Sequence, residues 1–292
     1  SATSRFTFKN TTERLEHHEE APSLKECLHL LATNRPLLML FLGNIFFVII
    51  KVSEQASFYF AYDALFNAKY NGFLDIAKAP GSFLAGIFVP IIIERLGRKA
   101  DSKKFYQVCC VMGIVLNGLF ALCTYNGIMN KGAGQSVSLL TGLMVIVFSA
   151  VVTFPLEFKN LMQKEMEAET VDYVEWKTGK RVEGTMLSIM SFTGKLEGTL
   201  SSFICLQVLA RTGYVEHTTD VSTLQNHSTL LGLFLMTTVF PMVGYALMLI
   251  PMHFYNITGD SHRRMIKDIM ARRAQAGEAA AQEAVAAEAK EG

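Results

Sequence analysis

The sequence predicts an all-α membrane protein in which six helices cross the bilayer, and three observations lead to that prediction. Of the 292 residues, 50% are hydrophobic and only 18% are charged, whereas soluble domains carry about 25% charged residues. Six apolar runs reach about 20 residues, the length that a transmembrane helix needs. Finally, lysine and arginine concentrate in alternate connections between these runs, as cytoplasmic loops of membrane proteins do.

On this pattern the chain divides into three parts. Residues 1–35 are polar and are predicted to form a cytoplasmic lead-in, and residues 36–255 hold the six apolar runs. Residues 256–292 are predicted to form a cytoplasmic tail, with a basic helix over SHRRMIKDIMARR and then a disordered Ala/Glu-rich end. The basic helix either lies on the inner leaflet or packs under the bundle.

The predicted spans are taken in chain order. They are Pro36–Tyr62, Gly72–Leu96, Phe105–Tyr125, Val137–Phe158, Met186–Thr212 and Leu230–Tyr255. The fourth and sixth runs are the most uniformly apolar, whereas the first and fifth carry charged residues inside the run. Those internal charges make the first and fifth runs the main candidates for a functional role.

The distribution of basic residues predicts the orientation. Nearly all of the 27 lysines and arginines lie in the lead-in, in the connections after the second and fourth spans, or in the tail. Lys159 is counted with the connection after the fourth span, and only Lys69, Lys131 and Arg211 fall on the opposite side. Because cytoplasmic loops carry the excess of lysine and arginine, both ends of the chain are predicted to be cytoplasmic.

Lys195 lies well inside the fifth predicted span, in SIMSFTGKLEGTLSSF. An ionisable side chain at the bilayer centre costs about 2.5–3.5 kcal/mol on insertion scales, so such a residue is a functional candidate. Ser188 and Ser191 recur with Lys195 at steps of three and four, which places them on one helix face. This stripe predicts a helix that faces a water-filled cavity, and Glu197 falls on a different face. The alternative is a lysine that pairs with a neighbouring carboxylate to hold helices together.

Two further pairs of charged residues lie in the first and second predicted spans. Lys51 and Glu54 have a spacing that sets them side by side on a helix, so we expect each to neutralise the other. That pair is either structural or part of a binding or coupling site. Asp75 and Lys78 have the same spacing near the outer end of the second span, where a structural pair is favoured because both side chains can reach water.

The sequence argues against several other classes of protein. It contains no G-x-S-x-G or H-E-x-x-H motif. Glu165, Glu167 and Glu169 alternate by two, which scatters carboxylates around a helix instead of joining them at a metal. The five cysteines follow no metal or disulfide spacing, and a net charge of +1 without a clustered basic face argues against nucleic acid. We therefore expect no enzyme and no cofactor.

A dense block of mixed charges, TVDYVEWKTGKRVEGT, joins the fourth and fifth spans. The orientation rule explains its cations but not the acidic residues Asp172, Glu175 and Glu183. We interpret the block as a cytoplasmic loop whose charges exchange partners between two states, as a gate does. The alternative is a solvated tether between two helices.

Segments spread over residues 23–273 are similar to one family of transporters. DYVEWKTGKRVEG, followed by a helix with the pattern S-x-x-S-F-x-x-K, is the most specific of them. The others are SLKECLHLLATNRPLL, YFAYDAL, ERLGRK and YNITGDSHRRMIKDIMARR. Together they resemble the glycoside-pentoside-hexuronide:cation symporters, the melibiose-permease branch of the major facilitator superfamily. The resemblance implies the C-terminal six-helix bundle, helices 7–12, of a major facilitator fold.

The resemblance also implies roles for individual residues of the solute cavity. Lys195 corresponds to the helix-eleven lysine that faces the central cavity and helps to place cation and sugar, and Ser191 to a small hydroxyl residue of the sugar cavity. Asn160 stands where some members have a cavity aromatic, and Glu197 where a small residue is usual. With the intramembrane charges added, the candidate solute-binding residues are Lys195, Ser191, Ser188, Asn160, Lys51 and Glu54.

The cytoplasmic gate of the family has matching charged positions in the mixed-charge block and directly before it. Glu169, Asp172 and Arg181 correspond to them, and the charge argument adds Glu175. In this interpretation the charged residues hold one set of partners when the transporter faces inward and another set when it faces outward.

The function that the resemblance implies is cation-coupled symport of a sugar or glycoside by alternating access. The coupling cation is Na⁺ or H⁺, and its site lies mostly in an N-terminal six-helix half, so this chain is interpreted as a fragment or one half of a split transporter. The other implied partner is the lipid bilayer of the plasma (inner) membrane. Two alternatives stay open: a carrier of lysolipid or another amphiphile, and a non-transporting membrane scaffold subunit. The polar stripe around Lys195 favours sugars.

Overall fold

The protein is a bundle of long helices. The computed structural model describes residues 23–67, 69–96, 101–131, 135–179, 182–216 and 224–291. Within these ranges every regular element is a helix, and there is no strand. Each of the six predicted apolar runs lies on one helix, from α2 to α7. The helices are α1 (Leu24–Thr33), α2 (Arg35–Tyr59, continued by a π-helical turn over Phe60–Ala64), α3 (Lys69–Leu96), α4 (Ser102–Met129), α5 (Leu139–Thr178), α6 (Glu183–Thr212), α7 (His227–Phe254) and α8 (Gly259–Glu291).

Local sequence signals explain where the first helices begin. Ser23 caps α1 by accepting a hydrogen bond from the backbone of Glu26, whose side chain accepts in turn from the Ser23 backbone. Asn34 caps α2 through the backbone N–H of Leu37. Pro36 follows inside the first turn of α2, where its missing N–H removes no helical hydrogen bond.

Four of the helices, by length and composition, can cross a membrane among the residues that the structure describes. They are α2 with its π-helical turn, α4, α5 and α7. The helices α3 and α6 have 28 and 30 residues, which is long enough for a span, but they are not among these four. The count of six membrane crossings therefore stays a prediction.

The order in which the helices pack defines the bundle. α2 packs most extensively on α7, α7 packs on α4, α4 on α5, and α5 on α3, while α6 packs mainly on the other side of α2. The helices α3 and α6 thus lie at the two ends of this arrangement. Two large apolar clusters fill the bundle, one around Tyr106 and Tyr245 and the other around Phe60 and Phe120.

Glycines allow some of these helices to approach closely. A Cβ atom at Gly113 of α4 would lie 2.4 Å from the ring of Tyr245 on α7. A Cβ atom at Gly142 of α5 would lie 2.0 Å from the hydroxyl of Tyr70 on α3. Small residues at helix contacts are the usual means by which membrane helices gain van der Waals packing.

The mixed-charge block is mostly helix, which corrects the prediction of a loop. α5 runs for 40 residues, from Leu139 to Thr178, and therefore continues far beyond the predicted end of the fourth span at Phe158. It ends where Gly179 adopts a left-handed conformation with φ of 71°, which favours glycine. The residues before Gly179 are helical and pack against α8. The connection between α5 and α6 is therefore short and comprises residues 179–182.

The basic segment after the last span packs under the bundle, one of the two arrangements that the sequence allowed. Met265 and Ile269 of α8 are 5% and 6% exposed, and Met265 joins the apolar cluster around Tyr106 and Tyr245. The backbone of α8 stays helical to Glu291, where the sequence predicted a disordered Ala/Glu-rich end. Alanine and glutamate are both strong helix formers, which is the local reason for a helix there.

Candidate functional site

The polar stripe predicted on the fifth span lies on one exposed face of α6. Ser188, Ser191 and Lys195 are all exposed, as their spacing on a helix predicts. A Cβ atom built at Gly194 or Gly198 meets nothing within 4 Å. The face is therefore open, and it presents an ammonium group between small and hydroxyl side chains.

Glu197 lies on the opposite, buried face of α6 and pairs with Lys51 of α2. The Lys51 Nζ atom is 3.7 Å from the Glu197 Oε2 atom. Within the described ranges this is the ion pair that Lys51 forms, so the predicted pairing of Lys51 with Glu54 is wrong. The spacing on α2 permits that pairing, but the packing of α6 on α2 delivers a more deeply buried carboxylate. Because a buried carboxylate is costly without a cation, Lys51 turns towards α6.

A buried network lies beside this pair, and it corrects the assignment of Lys159 to a loop. Lys159 is 0% exposed, and its Nζ atom lies 3.7 Å from the centroid of the Phe47 ring. The same Nζ donates to Gln163 Oε1 at 3.2 Å. Gln163 Nε2 in turn donates to Asn44 Oδ1 at 2.7 Å and to Glu167 Oε1 at 3.1 Å. An aromatic ring and an amide oxygen thus stabilise the ammonium group of Lys159, which the sequence predicted to lie in a cytoplasmic loop.

A cavity of about 300 Å³ lies elsewhere in the bundle, among α2, α3, α4, α5 and α7. Its charged lining side chains are Glu54, Lys78 and Glu157. Further polar side chains in its wall are Ser53, Ser57, Ser82, Asn117, Ser149, Thr153, Thr237 and Tyr245. The structure does not bring the predicted site residues together here: Glu54 lines the cavity, whereas Lys195, Ser191, Ser188, Asn160 and Lys51 do not.

Glu157 is a cavity residue that the sequence analysis missed. Its Oε1 atom lies 3.4 Å from Ser82 Oγ of α3, and its Oε2 atom accepts from Asn160 Nδ2 at 3.4 Å. Asn160, a predicted solute-binding residue, is half-buried and acts on the cavity through Glu157. The glutamate near the end of an otherwise apolar span was the available signal, because an intramembrane carboxylate is a functional candidate.

Asp75 and Lys78 form the predicted pair on α3. The Lys78 Nζ atom donates to Asp75 Oδ1 at 3.3 Å, which confirms the expectation from their spacing. Lys78 also lines the cavity. The charge that this lysine brings to the cavity is therefore already matched by a neighbouring carboxylate.

Glu169, the first predicted gate residue, is buried at the junction of α5, α4 and the segment after α7. Its carboxylate accepts from Ser102 Oγ at 2.7 Å and from the Tyr255 hydroxyl at 3.4 Å. These contacts join α5 to the start of α4. The other two glutamates of the alternating set do not converge with Glu169, and no group of three or more metal-ligating side chains occurs in the part of the chain that the structure describes.

Asp172 and Glu175, the next gate residues, contact α8. Asp172 Oδ2 lies 2.9 Å from His262 Nε2, and Arg273 donates to Glu175 Oε1. The hydrogen bond with Asp172 raises the pKa of His262 above its ordinary value. Both acidic residues thus have partners in this conformation. Arg181, the fourth gate residue, lies outside the described residues.

Trp176 completes the contact between α5 and α8. Its Nε1 atom donates to Asp268 Oδ2 at 3.0 Å, and Arg272 donates to the Trp176 carbonyl at 2.7 Å. It is the single tryptophan of the chain. Its fluorescence therefore reports directly on whether α8 is docked.

The fold and these buried charges define a class, namely a helical multi-pass membrane protein of the kind that transports solutes. Ionisable side chains inside an apolar bundle mark solute and ion pathways in such proteins. The chain belongs to the family described as MFS/sugar transport protein, whose model matches residues 2–259. The family consists of transporters and not of enzymes.

Curated relatives carry names of the same kind. The chain is 25% identical over 267 residues to an uncharacterized symporter of Bacillus subtilis (strain 168), covering 90% of this chain and 53% of the relative. It is 24% identical over 264 residues to a glucuronide carrier protein homolog of Escherichia coli (strain K12), covering 90% and 53%. An isoprimeverose transporter of Lactiplantibacillus pentosus is 24% identical over 273 residues, covering 92% and 52%. The chain thus spans about half the length of the curated relatives it matches.

Proposed function

We propose that this chain forms one half of a transporter that carries a sugar or glycoside together with a cation by alternating access. Family membership supports sugar transport, and the relatives named as a symporter, a glucuronide carrier homolog and an isoprimeverose transporter support cation coupling and sugar-like solutes. The observation that carries the proposal is the open face of α6, where Lys195 lies between Ser188 and Ser191. In alternating access, two such bundles rock about a site near the bilayer midplane.

The ammonium group of Lys195 can act in two ways on that face. It can donate hydrogen bonds to sugar hydroxyls, with the serine hydroxyls as additional donors and acceptors. It can also attract a carboxylate of the partner half and so compete with Na⁺ or H⁺ for that carboxylate. Such competition would link cation binding to solute binding. In a low-dielectric site, two cations beside one carboxylate repel each other strongly, so binding of one weakens binding of the other.

The contact between α5 and α8 is the proposed gate on the cytoplasmic side. Asp172 and Glu175 hold partners on α8 in this conformation, and Glu169 holds partners on α4 and after α7. We propose that these acidic residues change partners when the bundle rocks, with Arg181 as one of the new partners. Bistable interfaces of this kind convert small displacements into discrete states.

The proposed location is the plasma (inner) membrane, with both ends of the chain on the cytoplasmic side. The distribution of lysine and arginine supports this orientation. Because Lys159 is buried in the core, the cytoplasmic side has one cation fewer than the sequence predicted. The excess of lysine and arginine on that side is still large enough to support the orientation.

The test uses the intact transporter in proteoliposomes, with an inward Na⁺ or H⁺ gradient and a panel of radiolabelled glycosides. Replacing Lys195→Ala should reduce gradient-driven uptake by about tenfold or more, equal to about 1.4 kcal/mol. The matched control is Lys267→Ala, because Lys267 is an exposed lysine of α8 away from the α6 face. Uptake at the wild-type rate in Lys195→Ala would show that the coupling role is wrong.

The same vesicles separate the alternatives. Uptake of lysolipid without any gradient-driven uptake of glycosides would identify an amphiphile carrier. No uptake of either kind, in protein that is folded and inserted, would identify a non-transporting scaffold.

A further inference from the structure

We propose that the cavity among α2, α3, α4, α5 and α7 binds the ring of an uncharged sugar and that its two carboxylates, Glu54 and Glu157, exclude acid sugars. This inference rests on the proposed function and narrows its substrate class. The cavity is distinct from the open face of α6, because Lys195, Ser191 and Ser188 take no part in its wall. It therefore offers a second, independently testable contact for the solute in this half.

The charge of the cavity wall carries the argument. Glu54 comes from α2 and Glu157 from α5, so two different helices each supply a carboxylate. Lys78 is the cation among the described lining residues, and it is already paired with Asp75 at 3.3 Å. The wall is therefore negative on balance. A solute with its own carboxylate or sulfonate would meet these like charges, and no described cation of the wall other than the paired Lys78 would offset them. A neutral sugar carries no charge for the wall to repel.

The hydrogen-bonding groups of the wall suit hydroxyls. Carboxylates accept hydrogen bonds from sugar O–H groups, and Glu157 is held in place by Ser82 and Asn160, each at 3.4 Å. Asn117 is 2% exposed and donates through Nδ2 to the Gly113 carbonyl at 2.8 Å. No described residue donates to the Oδ1 atom of Asn117, and this residue lines the cavity, so the acceptor is available to a ligand there. A ligand O–H group would satisfy it.

The shape and apolar surface of the cavity suit a single ring. A volume of about 300 Å³ is at the lower end of the range for small-molecule sites. Phe60 and Phe120 are buried side chains that form part of the wall, so the wall also includes apolar groups for the C–H bonds of a sugar ring. A sugar ring carries both hydroxyl and C–H groups, and the wall contains hydrogen-bonding and apolar side chains for both.

The experiment measures equilibrium binding to the intact transporter in detergent with two matched pairs of probes. The pairs are 4-nitrophenyl glucoside with 4-nitrophenyl glucuronide, and the corresponding galactoside with galacturonide. Within each pair only carbon 6 differs, as a hydroxymethyl group or a carboxylate. We expect the wild-type protein to bind at least one neutral glycoside tenfold or more tightly than its acid counterpart.

Three variants locate the source of that selectivity. The double variant Glu54→Gln/Glu157→Gln should narrow the ratio of neutral to acid affinity by tenfold or more, because the amides keep the shape and remove both charges. Glu157→Asp keeps the charge but shortens the side chain, so it should weaken the binding of both members of a pair and still keep the ratio of their affinities. The surface control is Glu165→Gln, an exposed position of α5 outside the cavity wall, which should also keep the ratio.

Each contrary outcome has a definite meaning. Equal or tighter binding of the acid sugars by the wild-type protein overturns the inference but leaves sugar transport standing. An unchanged ratio in the double Gln variant also overturns it, and if that variant loses cation dependence instead, the cavity is a cation site. Failure of both neutral glycosides to bind overturns it as well, and gradient-driven uptake of any other sugar would then show that the proposed function survives.

Discussion

Lys51 of α2 and Glu197 of α6 form an ion pair between two helices of the bundle, with 3.7 Å between Nζ and Oε2. The Glu197 side chain is 9% exposed and the Lys51 side chain 28% exposed. Since α6 packs mainly on α2, this pair lies in the principal contact that holds α6 in place. The open face that carries Lys195 is on the opposite side of the same helix, so its position depends on this contact.

The first prediction concerns the energy of this pair. In a double-mutant cycle with Lys51→Met and Glu197→Gln, we expect a coupling energy of about 0.5–3 kcal/mol, because each single change leaves a partly buried group without its partner. The measurement is thermal unfolding of the detergent-solubilised protein. The control cycle uses Asp75 and Lys78, an exposed pair on one helix, for which about 0.2–0.5 kcal/mol is expected. Equal coupling in the two cycles would contradict the assigned role of the Lys51–Glu197 pair.

The second prediction concerns the close contact of α4 with α7. The change Gly113→Ala places a methyl group 2.4 Å from the Tyr245 ring, which is 1% exposed, so the ring or a helix must shift. Overpacking of this kind costs about 1–3 kcal/mol, so the apparent melting temperature should fall. Gly86→Ala is the matched control, because a Cβ atom at this exposed helical glycine meets nothing within 4 Å. It should leave the stability unchanged or raise it by up to about 1 kcal/mol.

The third prediction is a pH dependence of α8 docking. The hydrogen bond with Asp172 raises the pKa of His262 above its ordinary value of about 6.5. His262 therefore stays protonated to a higher pH when α8 is docked than when α8 is undocked. The stabilisation is therefore fully present below about pH 6.5 and is lost as the pH rises through the raised pKa. The measurement is Trp176 fluorescence against pH, in protein without other tryptophans.

Two histidine variants control this experiment. His262→Gln should flatten the pH dependence, because the titrating partner of Asp172 is gone. His253→Gln, at an exposed position at the end of α7, should keep the wild-type profile. A pH profile that survives in His262→Gln would place the titration elsewhere.

The fourth prediction concerns the apolar contribution to the same docking. Ile269 is 6% exposed and its neighbour Met270 is 65% exposed. Ile269→Ala should weaken the docking of α8 by about 2 kcal/mol or more, and trypsin should cut faster after Arg272 and Arg273. Met270→Ala changes the adjacent, exposed position and should stay within about 0.5 kcal/mol of the wild type. Equal cleavage rates in the two variants would mean that Ile269 does not anchor the helix.

The features of the candidate site that depend on spacing along one helix follow from the sequence, whereas the contacts between helices do not. The common face of Ser188, Ser191 and Lys195 and the pairing of Asp75 with Lys78 are confirmed because both depend only on spacing along one helix. The pairing of Lys51 with Glu54 used the same reasoning and is wrong. Spacing shows which neighbours a residue can reach, but a carboxylate on another helix can outcompete them.

The sequence by itself determined the helical class, the helices on which the six apolar runs lie and the membership of a sugar-transporter family. Hydrophobic runs and local motifs carry these features, and each is readable within a few turns of one helix. The tertiary structure decided which carboxylate neutralises Lys51, that Lys159 is buried against Phe47, and that Glu54 and Glu157 share one cavity. It also turned the mixed-charge block from a loop into a helix docked on α8. These are contacts between residues far apart in the chain, and the packing of helix on helix, which no local pattern encodes, sets them.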